Sequence, residues 1–219
     1  MKKIVVYGAG CFGEIFYYET SLYGIPEIAA FTVDRAYLDT REFCGLPVVP
    51  FEEVKDMYPP EDFDMIVVTS PKRLRTRKEM YSRAKELGYV LANYVSPRAI
   101  VEPGVQMGDN NIIFSDAFIG HHTILGNDNI IRQKVYIGHQ SVLQDHNVIV
   151  AGCTLGGLSK IGSLSFFGLG MVGRDKVKYG EEVFVGLGSV VTKDVEDYST
   201  VVGNPAKVIS HHQDTGIVF

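Results

Sequence analysis

The chain has no tryptophan, only three cysteines and no long apolar run, and each shortage closes off a class of protein. Cys11, Cys44 and Cys153 are odd in number and lack metal-like spacing, so they read as reduced thiols of a cytoplasmic protein. The apolar start, Ile4-Val5-Val6-Tyr7, is cut by Gly8-Ala9-Gly10 and is too short for a signal peptide or a membrane span. Charge of one sign is also missing. With 21 Lys and Arg against 26 Asp and Glu, the formal charge of -5 gives no footprint for nucleic acid or an anionic membrane. A hydrophobic content of 46% excludes disorder and leaves room for one large domain or two modest ones.

What is present is a period of six. Stepping from Met107 to Val191, every sixth residue is aliphatic, Met or Phe except Gly173 and Tyr179. Two positions before each the residue is mostly small, as at Asn129, Ser141 and Cys153; one position after, Gly recurs, as at 120, 138 and 156. Six fits neither a helix nor a hairpin ladder. It suits short strands joined by tight corners, with one bulky residue per hexad pointing inward. Three hexads close a triangular coil, so residues 18 apart stack on rungs about 4.8 Å apart. The fifteen hexads predict five coils of a parallel β-solenoid.

Ahead of the solenoid the pattern is α/β. A strand to Tyr7 is followed by Gly8-Ala9-Gly10-Cys11-Phe12-Gly13 and a helix over 14–22. Bare glycines there let backbone N–H groups approach a phosphate at a helix N-terminus. A second strand, 27–33, ends at Asp34, whose carboxylate can accept from a ribose or base. A short helix over 51–57, a strand over 65–69, a helix over 72–87 and a strand over 89–94 complete the reading. Four strands are too few for a full dinucleotide fold, which argues against NAD. Lys72 and Arg73 follow a strand end, where they can meet a phosphate; the other basic residues of that helix read as its solvated face.

Residues one before each inward position should face outward, yet they include Ile112, Phe118, Ile124, Ile130, Tyr136, Val142, Val148, Phe166 and Val172. Such a surface predicts an oligomer. His121 and His139 are 18 apart and should stack at one corner. An imidazole in a cleft there suits general-base work near neutrality, and its neighbour one rung away can bias its protonation. The pair His139 and His146, with six residues between them, lacks the spacing of a zinc site, so no metal is expected.

The whole chain over residues 2–207 resembles the bacterial sugar acetyltransferases that join a small nucleotide-binding α/β domain to a left-handed β-helix. These include UDP-amino-sugar N-acetyltransferases and sialic acid O-acetyltransferases. The resemblance rests on the glycine turn at 8–13, on Ile137-Gly138-His139, and on Gly188-Ser189-Val190-Val191 through Val202-Gly203-Asn204-Pro205-Ala206-Lys207. It implies a Rossmann-like nucleotide-sugar domain at 1–95, a left-handed parallel β-helix of about five coils at 96–207, a tail at 208–219 and a homotrimer. His139 matches the catalytic base, supported by His121 and by Gln140, which stands where the family usually has an acid. The resemblance places acetyl-CoA near Gly157, Leu169, Leu187, Gly188 and Lys207. It brings Gly8, Gly10 and Phe12 to the phosphates of a nucleotide-linked sugar, and Asp34, Thr69 and Ser70 to the same acceptor. N-acetylation of an amino sugar is the expected reaction, with O-acetylation, a different acyl group or a non-catalytic scaffold as alternatives.

Overall fold

A computed structural model describes residues 2–69 and 74–218. The chain divides into two compact units, Met1–Pro71 with Thr76–Tyr94, and Lys72–Arg75 with Val95–Phe219.

The first unit holds β1 (Lys3–Tyr7), α1 (Cys11–Ser21), β2 (Ile28–Val33), β3 (Glu42–Phe43), β4 (Leu46–Pro50), α2 (Val54–Met57), β5 (Phe63–Val67) and most of α3 (Leu74–Glu86). The sheet order is β3-β4-β2-β1-β5, parallel throughout except for the β3–β4 hairpin. Ile4 to Tyr7 are all buried, as a continuous apolar run in a parallel sheet covered on both faces requires. Of the expected strand at 89–94, Leu91 forms a bridge to Met65 and Tyr94 opens the two-residue strand Tyr94–Val95. β4 has no counterpart in the sequence reading, and its Pro47 and Pro50 are uncommon inside strands. The prolines sit toward its ends, leaving Val48 and Val49 to pair with Phe31 and Thr32.

The second unit is a left-handed parallel β-helix of two-residue strands. Its first face stacks 100–101, 118–119, 136–137, 154–155, 172–173 and 190–191. The second stacks 106–107, 124–125, 142–143, 160–161 and 178–179, and the third includes 112–113, 130–131, 148–149, 166–167 and 184–185. Register is 18 throughout: Phe118 pairs with Tyr136 and Ile119 with Ile137. The third face continues into the strand Ser199–Gly203, on which Ala206–His211 folds back antiparallel. The tail thus begins as a strand at the coil's edge.

The small residues of each hexad satisfy the corners. Asn111 Oδ1 accepts from the Asn129 N–H, Asn129 Oδ1 from Asn147, and Asn147 Oδ1 from Ser165, at 2.8 to 3.2 Å. One residue per corner turns left-handed; His122 and Gln140 both have φ 55°, and glycine takes the position at 104, 152, 170 and 188. The two breaks in the inward ladder compensate each other. The Tyr179 hydroxyl lies 2.2 Å from where a Cβ on Gly173 would stand, so the small residue makes room for the large one.

The outward apolar surface is smaller than the sequence suggests. Ile112, Ile130 and Val148 of the third face are buried within the single chain, so they need no partner. Exposure is concentrated on Ile100, Tyr136 and Val172 of the first face and Ile124 of the second. Phe167 and Met171 are fully buried in the helix core, so neither can line a channel for an acyl donor.

Candidate functional site

At the corner following the first face, His121, His139, Gly157 and Asp175 succeed one another at intervals of 18. The two exposed imidazoles stack nearly parallel, 5.1 Å between centroids and 9° between planes. The His121 N–H donates to Glu102 at 2.8 Å. His139 Nδ1 lies 3.1 Å from Gln140 Oε1. An amide oxygen only accepts, so Gln140 pairs with an Nδ1–H, and in that tautomer of the neutral ring Nε2 carries the lone pair. On its other side the imidazole packs over Gly157, where an added Cβ would stand 2.9 Å from Nε2. The Gly157 N–H is bound to Asp175 Oδ1 at 2.7 Å, so this glycine contributes space rather than a donor. Asp145 lies at a different corner, accepting from the Asn127 backbone and side chain, and does not replace an acid beside His139.

Leu169, Leu187 and Gly188 lie at the corner that precedes the first face, across it from His139. The carbonyl of Leu169 accepts from Gly188, and both leucine side chains are exposed. The N–H groups of Leu169 and Leu187 have no partner among the described residues, whereas the equivalent N–H groups of His121 and Gly157 bond to carboxylates. Open N–H groups beside left-handed glycines suit the amides of an extended ligand. Lys207 is exposed in the terminal antiparallel strand, opposite Val202. One chain therefore does not bring the His139 corner and the Leu169 corner together.

In the first unit the chain passes from β1 to β2 on one side and returns to β5 on the other, so the topological switch lies between β1 and β5. Ligands of open α/β sheets enter at the carboxyl ends of the strands at such a point. Gly8 and Thr69 meet there: a Cβ on Gly8, at φ 132°, would strike the Val68 carbonyl and approach Thr69 Cγ2. Thr69 Oγ1 is buried without a partner among the described residues, a hydroxyl still able to bond a ligand. Gly10 caps α1, and a side chain there would meet nothing within 4 Å, so its face is open. Gly13 instead permits close packing, its would-be Cβ falling 2.1 Å from the Gly8 carbonyl oxygen. Phe12 is half-buried in the first turn of α1. Ser70, Lys72 and Arg73 lie outside the described residues.

Asp34 follows β2 at the same sheet edge, already engaged. It accepts from the Tyr7 hydroxyl and from Arg83 Nη1, the latter at 2.9 to 3.0 Å. Burial foremost, then the bond to Asp34, pushes the Tyr7 phenol well above its usual range and keeps it a donor. Tyr7 stacks on Phe51 at 4.2 Å, and the Arg83 guanidinium lies 4.6 Å from the centre of the Phe51 ring.

Comparison with solved structures matches nearly the full chain. A histidine-to-asparagine variant of perosamine N-acetyltransferase from Caulobacter crescentus, in complex with CoA and GDP-perosamine, superposes with a TM-score of 0.87 at 24% identity. That match covers 96% of this chain and 98% of the other. The acetyltransferase domain of PglB from Neisseria gonorrhoeae FA1090, in complex with acetyl coenzyme A, gives 0.86 at 26% identity over 95% and 99%. The chain has the fold of the hexapeptide-repeat sugar acetyltransferases. WeeI from Acinetobacter baumannii AYE shares it, with a TM-score of 0.82 at 22% identity over 95% and 100%. Curated proteins of Staphylococcus aureus, including one of strain COL, are provisionally named acetyltransferases and match at 47% identity over 49 residues. That stretch is 22% of this chain and spans only a quarter of the curated relatives' length. No protein-family profile matches the chain.

Sequence reasoning missed Asp175, although the 18-residue step that relates His121 to His139 also reaches it through Gly157. It missed Tyr7, Phe51 and Arg83 as neighbours of Asp34, and no periodicity connects those positions. Among the described residues no group of three or more His, Cys, Asp or Glu side chains is placed to hold a metal.

Proposed function

We propose that this protein transfers an acetyl group from acetyl-CoA to the amine of a nucleotide-linked amino sugar, with His139 as general base in a homotrimer. The observation that carries this reading is the His139–Gln140 pair: Nδ1 is tied down at 3.1 Å, and Nε2 is the ring nitrogen left outside that bond, at an exposed corner. As the amine nitrogen bonds to the thioester carbonyl carbon, its proton passes to Nε2. Collapse of the intermediate breaks the C–S bond, and the imidazolium returns the proton to the departing thiolate. Backbone N–H groups stabilise the intervening oxyanion.

The trimer supplies what one chain lacks. His139 and the open N–H groups of Leu169 and Leu187 bound opposite edges of the first face, so a neighbouring copy is needed to bring one set to the other. Exposed Ile100, Tyr136 and Val172 on that face give such a contact its apolar surface. CoA then runs along the intersubunit cleft past Gly157, Leu169, Leu187 and Gly188, with Lys207 near a phosphate. The nucleotide lies at the β1–β5 switch, against Gly8, Gly10, Phe12, Thr69 and Asp34. The CoA and GDP-perosamine bound by the Caulobacter enzyme, and the acetyl-CoA bound by the Neisseria domain, support the choice of these two ligand classes.

The test is CoA release from acetyl-CoA with UDP-, dTDP- and GDP-linked amino sugars, beside the matching hydroxy sugars. Release with one amine acceptor, lost in His139→Ala, is the expected result. Turnover confined to hydroxy sugars, or none with any acceptor, sinks the reading.

A further inference from the structure

Asp34 is held from two other elements of the first unit. Tyr7, the last residue of β1, donates its hydroxyl to one carboxylate oxygen, and Arg83 of α3 donates from Nη1. Arg83 is itself seated over the Phe51 ring, which stacks on Tyr7, so all three partners are braced on one aromatic pair. Only Nη1 of the fork bonds to Asp34, and a guanidinium has five N–H donors. A carboxylate has about four acceptor sites, so Asp34 keeps some open as well. Both side chains reach solvent, Arg83 at 39% and Asp34 at 25% exposure. The braced pair therefore offers one strong acceptor beside one set of charged donors, at the sheet edge that carries Gly8 and Thr69.

We propose that Tyr7 and Arg83 are positioning residues that orient Asp34 toward the nucleoside part of a nucleoside diphosphate. This rests on the acceptor reading above. A donor–acceptor pair matches the donor–acceptor edges of a nucleobase or ribose, whereas a diphosphate offers acceptors alone and has no use for a carboxylate. Fixing the carboxylate in advance removes the ordering cost of finding that geometry on binding.

The test is calorimetric binding of UDP, dTDP and GDP, with inorganic pyrophosphate as the probe lacking a nucleoside, to the full-length wild type and to Tyr7→Phe, Arg83→Met and Arg83→Lys. Loss of one hydrogen bond at Tyr7→Phe should weaken nucleotide binding about fivefold, and Arg83→Met about tenfold or more. Pyrophosphate binding should not change, and Arg83→Lys should recover part of the loss. In turnover the acceptor KM should rise by the same factors, with kcat and the acetyl-CoA KM unmoved. Unaltered nucleotide affinity in both Tyr7→Phe and Arg83→Met overturns the proposal. So does an equal loss for nucleotide and pyrophosphate, which would mark a general disturbance of the unit or a phosphate contact. The acceptor reading fails separately: a wild type that binds none of the three nucleotides refutes both, while one that binds UDP, dTDP or GDP yet transfers no acetyl group leaves this proposal standing.

Discussion

At the scale of single residues, the His139 imidazole lies directly against Gly157. His139→Ala should lower kcat by about 10² to 10⁴ and leave acetyl-CoA affinity nearly unchanged. A variant that keeps most of its activity rules out His139 as the base. Gly157→Ala is a subtler probe. Its Cβ would press on the tip of the imidazole at 2.9 Å, and a ring can swing away where backbone cannot. The protein should therefore melt near the wild-type temperature while kcat falls; a loss of folding instead would show that Gly157 acts through the backbone. The stacking of His121 on His139 was legible from their 18-residue interval. The bond from His139 to Gln140 was not, because it depends on a left-handed corner residue whose side-chain direction no spacing encodes.

Within the β-helix, the exchange of bulk between Gly173 and Tyr179 makes two further predictions. Gly173→Ala would place a methyl 2.2 Å from the Tyr179 hydroxyl, and overpacking of this kind costs about 1–3 kcal/mol. Pairing it with Tyr179→Leu should recover most of that loss in urea unfolding; additive effects in the double variant would refute the coupling. The Tyr179 hydroxyl is buried without a partner among the described residues. Tyr179→Phe should therefore be neutral or stabilising by up to about 1 kcal/mol, since it removes a desolvated polar atom that gains nothing. In the sequence these two positions were simply failures of the hexad rule. Only stacked coils reveal that one failure fills the other.

Alkaline pH should destabilise the whole molecule. Burial pushes the Cys153 thiol from 9.0 up to about 11, and burial with a lesser contribution from Glu61 pushes the Tyr89 phenol from 10.0 up to about 12. Both shifts favour the neutral form in the fold, so their stabilisation is complete below the unfolded values and is lost as pH rises through the folded ones. Unfolding midpoints in urea should fall between about pH 9 and 12, more shallowly over pH 9 to 11 in Cys153→Ala. An identical slope in that variant would assign the decline to other groups. Light scattering should give three times the chain mass, and Tyr136→Glu on the exposed first face should break the assembly and its activity together. A fully active monomer would remove the intersubunit site.

The solenoid was determined by the sequence alone, because a six-residue period repeated without a slip admits one kind of coil and fixes which residue of each hexad turns inward. The glycine turn after β1 was equally local, since strand, bare backbone and helix are written in adjacent residues. Tertiary structure decided what local pattern cannot carry. No local pattern marked β4, which carries two prolines, yet pairing with β2 through Val48 and Val49 makes it a strand. Ile112, Ile130 and Val148 have the hexad signature of surface positions, yet the chain buries them, and burial is a property of what packs above a residue rather than of its period. Asp34 was foreseen only as an acceptor for a ribose or base. The fold draws Tyr7 and Arg83 to it, 27 positions before it and 49 after, and contacts over such distances are made by the packing of elements, which no spacing along the chain records.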